Sequence, residues 1–233
     1  MEPSPWAAVA QRVLYAATVV WFRAGLGASA TVAPYNGCIG LCLGLGATGR
    51  RVAMGTRARI ATVCQSHQSF PSVEENRRHV LSLLDLALHL EPDLVCLPET
   101  FSTVAIDQVR AQEKAETVPG PTTTLAAERA RAHHCYIVCP LITQRNGRCW
   151  NTAVLIDREG NIAGLYDKVH PVTSTHDYTV IEQGVTPGAE APVFDLDFGR
   201  VGIQICFDAG FPETWEALAR QGAQLVVWSS AYN

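Results

Sequence analysis

Ile60-Ala61-Thr62-Val63-Cys64, Ser72-Val73-Glu74-Glu75 and Leu94-Val95-Cys96-Leu97-Pro98-Glu99 frame one strand–helix–strand unit. The first and last are short apolar runs, the pattern of buried strands. Between them, Ser72 and Glu75 have the spacing of a capping box, in which a hydroxyl and a carboxylate satisfy the free amides at a helix start. Val80, Leu83, Leu84, Ala87 and Leu88 follow at helical spacing, and Pro92 closes the helix. Such a unit calls for helix packed on sheet.

The same alternation continues outward. A helix is expected over residues 123–133 and a strand over 136–141. Asn146-Gly147 is a hairpin turn signal. Strands over 152–157 and 162–169 are joined across Glu159-Gly160-Asn161, and residues 193–198 and 201–207 form a hairpin around Gly199-Arg200. A helix over 212–221 starts at a proline and stops at Gly222, and residues 225–229 form a last strand. Helix–strand alternation combined with hairpins requires a mixed sheet in an α/β fold.

The chain has 233 residues, 48% hydrophobic and 17% charged, which excludes a disordered chain and suits a large core. A net charge of −4 leaves no basic footprint for nucleic acid. Residues 1–57 differ from the rest, with five arginines (Arg12, Arg23, Arg50, Arg51 and Arg57) against one acid, Glu2. Their apolar run at 13–22 is shorter than the roughly 20 residues a membrane helix needs. Residues 24–49 are uncharged but broken by seven glycines (Gly25, Gly27, Gly37, Gly40, Gly44, Gly46 and Gly49) and by Pro34, a composition hostile to helix. This segment is therefore read as a loosely ordered extension, 1–57, ahead of a functional domain, 58–233. A signal peptide is disfavoured because Glu2 comes first. The expected location is the cytoplasm, with an organelle presequence as the alternative.

Several of the eight cysteines sit in apolar runs, as reduced core thiols do. His133, His134, Cys135 and Cys139 cluster in sequence, but no second pair has zinc-ligand spacing, so no metal is expected.

Three reactive residue types stand where an apolar strand ends, the position at which helix-flanked sheets build their sites. They are Glu99 after Leu94-Val95-Cys96-Leu97-Pro98, Lys168 in Tyr166-Asp167-Lys168-Val169-His170-Pro171, and Cys206 in Gly202-Ile203-Gln204-Ile205-Cys206-Phe207-Asp208. Each has a plain alternative: a solvated loop carboxylate, a surface lysine paired with Asp167, a packed thiol. Together they form a set for nucleophilic acyl transfer. A thiol needs a base, which a carboxylate of raised pKa supplies, and the tetrahedral intermediate needs a positive group or amide donors.

On these three motifs, with Pro119-Gly120-Pro121, Asn151-Thr152-Ala153 and Gly184-Val185-Thr186-Pro187-Gly188 in support, the chain resembles the nitrilase, or carbon–nitrogen hydrolase, superfamily from about Arg59 to Asn233. The resemblance implies an αββα sandwich, usually doubled by association of subunits. It implies Glu99 as general base, Lys168 as stabiliser of the oxyanion, Cys206 as nucleophile and the Phe207 amide as second oxyanion donor. Glu182, the one glutamate between the Lys168 motif and Pro187-Gly188, is the candidate for positioning substrate. No metal or organic cofactor is implied. Phe207-Asp208 after the cysteine, where true nitrilases have Trp-Glu, resembles the amidase and carbamoyl-amide branches. A linear amide or N-carbamoyl compound is the leading substrate class, and a nitrile the second.

Family members continue past the strand that ends at Ser229, so the resemblance also implies a domain incomplete on its C-terminal side. A non-catalytic, partner-binding relative is the alternative from a different class; retention of Glu99, Lys168 and Cys206 favours the enzyme. The value of these three residues is expected to lie in the reaction and not in packing.

Overall fold

The Ser72 hydroxyl accepts a hydrogen bond from the Glu75 amide at 3.2 Å and donates to the Glu75 carboxylate at 2.9 Å, so the capping box forms. It opens helix α1, Val73–Leu88. The computed structural model describes residues 19–22, 27–35, 38–46, 58–65, 70–103, 111–172, 182 and 184–231. Its strands are β1 (Val19–Phe22), β2 (Gly27–Tyr35), β3 (Cys38–Gly46), β4 (Ala58–Val63), β5 (Leu94–Cys96), β6 (Tyr136–Arg145), β7 (Arg148–Ile156), β8 (Ile162–Asp167), β9 (Val193–Leu196), β10 (Gly199–Ile205) and β11 (Leu225–Ser229). The other helices are α2 (Ala111–Lys114), α3 (Pro121–His133) and α4 (Pro212–Arg220), and a 3₁₀ turn spans Cys206–Gly210. None of the described helices is long and apolar enough to cross a membrane.

Two sheets result, one ordered β2-β3-β4-β5-β6-β7-β8 and the other β1-β11-β10-β9. The period of two along each strand divides its side chains between two cores. Val63 and Ala61 of β4, Val95 of β5, Ile137 and Cys139 of β6 and Val154 of β7 pack with Val80, Leu84 and Leu88 of α1 and Ala126 and Ala130 of α3. The alternate positions Ile60, Leu94, Cys96, Val138, Ala153 and Leu155 meet Val201, Ile203 and Ile205 of β10 and Val227 of β11. On the outer face of β10, a Cβ on Gly202 would lie 2.9 Å from Leu218 of α4, and Gln204 donates to Thr214 at 3.0 Å. The layers therefore run helix, sheet, sheet, helix: the αββα sandwich. Each fully buried Val or Leu contributes roughly 1.5–3 kcal/mol to this packing.

The strand β11 and the helix α1 fall where the sequence places them. The last hairpin turns at Asp197-Phe198 rather than at Gly199-Arg200, since β9 ends at Leu196 and Gly199 already pairs with it. Asn146 and Gly147, with φ of +50° and +73°, make the tight turn between β6 and β7.

Much of the 1–57 extension lies outside the described residues. Where it is described, it departs from the expected lack of regular structure. β1 pairs antiparallel with β11, and β3 joins β2 to β4. The physical reason is legible in β3: Ile39, Leu41, Leu43 and Leu45 alternate with Gly40, Cys42, Gly44 and Gly46, a period of two. Glycines that rule out a helix do not rule out a strand in this pattern.

Candidate active site

β4, β5, β6 and β8 run in one direction, and β10 and β11 are parallel to each other. Glu99 follows the end of β5, Lys168 the end of β8 and Cys206 the end of β10. Parity aims Lys168 correctly: Tyr166, two residues earlier, lies in the core between the sheets, so Lys168 projects to the same side.

The Lys168 ammonium donates to Glu99 Oε1 at 2.9 Å and to Glu182 Oε2 at 2.8 Å. Asn151 bridges the same carboxylates, its Nδ2 donating to Glu99 Oε1 at 2.8 Å and to Glu182 Oε1 at 2.7 Å. The amide of Ala231 donates to Glu99 Oε2 at 2.9 Å, and the amide of Val172 donates to Glu182 Oε2. Lys168 is 1% exposed, Glu182 4% and Glu99 5%. The Cys206 thiol interacts with both Glu99 and Lys168 and is only half-buried, whereas Cys64, Cys96, Cys135, Cys139 and Cys149 are buried. Glu99, Lys168, Glu182 and Cys206 are thus brought together. Asp167, the plain alternative partner of Lys168, instead binds Arg145 at 2.5 Å and Thr152 at 2.6 Å.

Asn151 is the site residue that sequence reasoning counted only as a supporting motif. The signal was present: a polar side chain two positions before Ala153 on an apolar strand shares that residue's inward face. The backbone between Lys168 and Asn151 is tied as well, by the Lys168 amide donating to the Asn151 carbonyl at 2.8 Å.

Burial raises the Glu99 pKa, further aided by the nearby Glu182 charge and opposed by Lys168. Burial works against the Lys168 ammonium, but the Glu99 and Glu182 carboxylates outweigh it and hold the proton more tightly than on an ordinary lysine. The Cys206 thiol is pushed up to about 12, first by burial and then by the Glu99 charge, against the pull of Lys168. At rest the site therefore holds a protonated lysine and a neutral thiol, and a thiolate forms only as a proton leaves for a neighbouring base.

Cys206 adopts φ of +47°, and Thr100, next to Glu99, φ of +43°. This left-handed conformation is costly for residues other than glycine and persists where surrounding contacts impose it. At Cys206 the contacts are explicit. Trp228 Nε1 donates to the Cys206 carbonyl at 2.8 Å. The buried Asp208 accepts from the Ile205 amide at 3.1 Å, the Tyr166 hydroxyl at 2.6 Å and the His170 amide at 2.9 Å. One carboxylate thus clamps the cysteine turn to the segment carrying Lys168. Phe207, 48% exposed, meets Phe211 edge-on at 5.2 Å, and Phe211 stacks on His170 at 3.6 Å.

Gly188 explains part of the Gly184 to Gly188 stretch without recourse to chemistry. Its amide donates to the Lys168 carbonyl at 2.8 Å, and a Cβ there would lie 2.1 Å from the Asp167 carbonyl oxygen. Gly188→Ala is expected to cost about 1–3 kcal/mol by overpacking and to slow turnover by displacing Lys168. Thermal melting and a rate assay on the folded fraction check both.

Among the described residues no group of three or more His, Cys, Asp or Glu side chains is placed to hold a metal ion. Cys135 and Cys139 are fully buried, and burial raises both thiol pKa values, as suits inert core thiols.

This fold and this cluster define a class, and comparison with known proteins gives the same one. The chain belongs to the carbon–nitrogen hydrolase family, whose model matches residues 60–233. It is 30% identical over 173 residues to a deaminated glutathione amidase of Synechocystis, covering 70% of this chain and 63% of that protein. It is 29% identical over 155 residues to a beta-ureidopropionase of Arabidopsis thaliana, covering 64% of this chain and 38% of that one. Among solved structures, a mutant amidase of Nesterenkonia sp. AN1, bearing the acetamide moiety of fluoroacetamide covalently on its active-site cysteine, superposes with a TM-score of 0.60. It is 25% identical, over 78% of this chain and 68% of that one. The chain spans less than two thirds of the length of the two curated relatives.

Proposed function

We propose that this chain hydrolyses a non-peptide carbon–nitrogen bond, in a linear amide or an N-carbamoyl compound, through a thioester on Cys206. The observation that carries the reading is the buried Glu99–Lys168–Glu182 cluster beside a half-buried cysteine in a left-handed backbone conformation. Relatives named as amidases and as a beta-ureidopropionase support the substrate class.

Glu99 takes the Cys206 proton as the sulfur attacks the carbonyl carbon. The carbonyl π electrons move to oxygen, where the Lys168 ammonium and the Phe207 amide, in the first turn of the 3₁₀ segment, stabilise the negative charge. When the tetrahedral intermediate collapses, the carbon–nitrogen bond breaks and Glu99 returns the proton to the departing nitrogen. Water, deprotonated by Glu99, then cleaves the thioester and the thiol is restored. Glu182 and Asn151 hold Lys168 and Glu99 in register throughout. Self-association of subunits, which the family resemblance implies, is measured by sedimentation.

A panel of linear amides, N-carbamoyl amino compounds and nitriles, assayed for ammonia release, tests the class. Release from amides or carbamoyl compounds is expected; release from nitriles alone contradicts it. Glu99 must be unprotonated to accept the thiol proton, and its pKa is raised. The acid limb of kcat/KM is therefore expected to fall at a pH above the ordinary glutamate value of about 4.3. A pH–rate profile checks the position of that limb.

A further inference from the structure

The end of β11 brackets the reacting groups. β11 lies parallel to β10 with Ser229 opposite Ile205, so Ser230 and Cys206 leave adjacent strands side by side. Ser229 Oγ donates to the Leu97 carbonyl at 3.1 Å, two residues before Glu99, and the next residue but one, Ala231, binds the Glu99 carboxylate. Trp228 holds the Cys206 carbonyl. Between these anchors Ser230 is 1% exposed, and its hydroxyl oxygen is buried with no formed hydrogen bond.

A buried hydroxyl without a partner costs about 1–3 kcal/mol, so its persistence calls for a reason. The nearest reason is the nucleophile. The Ser230 side chain lies within hydrogen-bonding range of the Cys206 thiol and acts on it in the direction that favours the charged sulfur, although at rest its oxygen makes no bond of ordinary geometry. A neutral thiol is a weak acceptor, whereas a thiolate is a strong one and charge-assisted bonds are about twice as strong as neutral ones.

We propose that the Ser230 hydroxyl is a hydrogen-bond donor to the Cys206 sulfur as it ionises, left unpartnered at rest and engaged during attack. The thiol proton goes to Glu99; Ser230 keeps its own. The cost of the idle hydroxyl falls on the resting site, and its bond forms where negative charge develops on sulfur, which lowers the barrier. This inference rests on Cys206 being a nucleophile, the part the proposed hydrolysis gives it, and adds a donor to that cysteine.

The test is alkylation of the full chain by iodoacetamide at fixed pH, with modification at Cys206 followed by peptide mass. Ser230→Ala is expected to slow Cys206 alkylation roughly 10–100-fold, the scale of one charge-assisted hydrogen bond. Ser230→Thr, which keeps the hydroxyl, is expected to recover most of that loss. Because the hydroxyl is unpartnered at rest, Ser230→Ala is expected to melt no lower than the parent. A parental alkylation rate in Ser230→Ala overturns the proposal. So does a lowered melting temperature in that variant, or its failure to fold, since either marks the hydroxyl as structural. If the parent shows Ser230-dependent alkylation but hydrolyses nothing in the amide panel, the hydrolase reading falls and this one stands. If parental Cys206 is no more reactive than the fully buried Cys96, both fall.

Discussion

Cys206→Ala is expected to abolish amide turnover and to leave the fold in place. The loss is complete because no other group in the cluster can form the acyl intermediate: Glu99, Glu182 and Lys168 are engaged with one another, and the fully buried thiols of Cys96 and Cys139 carry pKa values raised by burial. Cys206→Ser is expected to retain little activity, since a hydroxyl ionises far less readily than a thiol of reference pKa about 8.5. Cys96→Ala is the matched control. Cys96 lies between the sheets with Leu94 and Val138, so the change opens a small cavity costing about 1–2 kcal/mol. Turnover per folded molecule is expected to stay unchanged. Ammonia-release rates, normalised to the folded fraction by circular dichroism, separate the two variants.

Lys168→Ala is expected to have two large effects at once. Loss of one oxyanion donor lowers kcat by roughly 10²–10³-fold. The stability effect follows from geometry that the motif alone does not convey. Lys168 is a cation that faces both Glu99 and Glu182 in a nearly dry site, so its removal leaves two buried carboxylates without the positive charge they share. Breaking a buried pair in this way costs about 3–5 kcal/mol. Part of that is recovered by protonating a carboxylate, a step that the raised pKa of Glu99 favours. The variant is therefore expected to be least destabilised at low pH, because the proton relieves the unpaired charge. Denaturant melts at two pH values check the sign. Here the structure revises the expectation that Lys168 matters to the reaction and not to packing.

The core of the fold was legible because each buried strand between 58 and 229 carries apolar residues on both faces and α1, α3 and α4 open on a polar cap or a proline. β4, α1, β5 and β11 needed nothing more. β3 was missed because glycine was weighed for its cost to a helix while the alternation of Ile39, Leu41, Leu43 and Leu45 was passed over. The turn between β9 and β10 was displaced because Gly199, with φ of +153°, sits in the strand and not at its corner. Among the site residues, Glu99, Lys168 and Cys206 announced themselves as reactive types at strand ends. Asn151 showed only in its inward parity with Ala153 on β7, and Ser230 not at all, since a Ser after an apolar strand is an ordinary surface signal. Only the meeting of β5, β7, β8, β10 and β11 at one edge brings them to the site. Asp208 belongs with them: its burial and its clamp on Tyr166 and His170 depend on contacts that no local pattern encodes.

The central claim, an acyl thioester on Cys206, is tested most directly by acid-quenched peptide mass spectrometry during turnover of an amide that releases ammonia. The expected result is an increment equal to the acyl group on the peptide containing Cys206, transient in the parent chain and absent in Cys206→Ala. Steady ammonia release with no increment at Cys206, or with the increment on another cysteine, contradicts it.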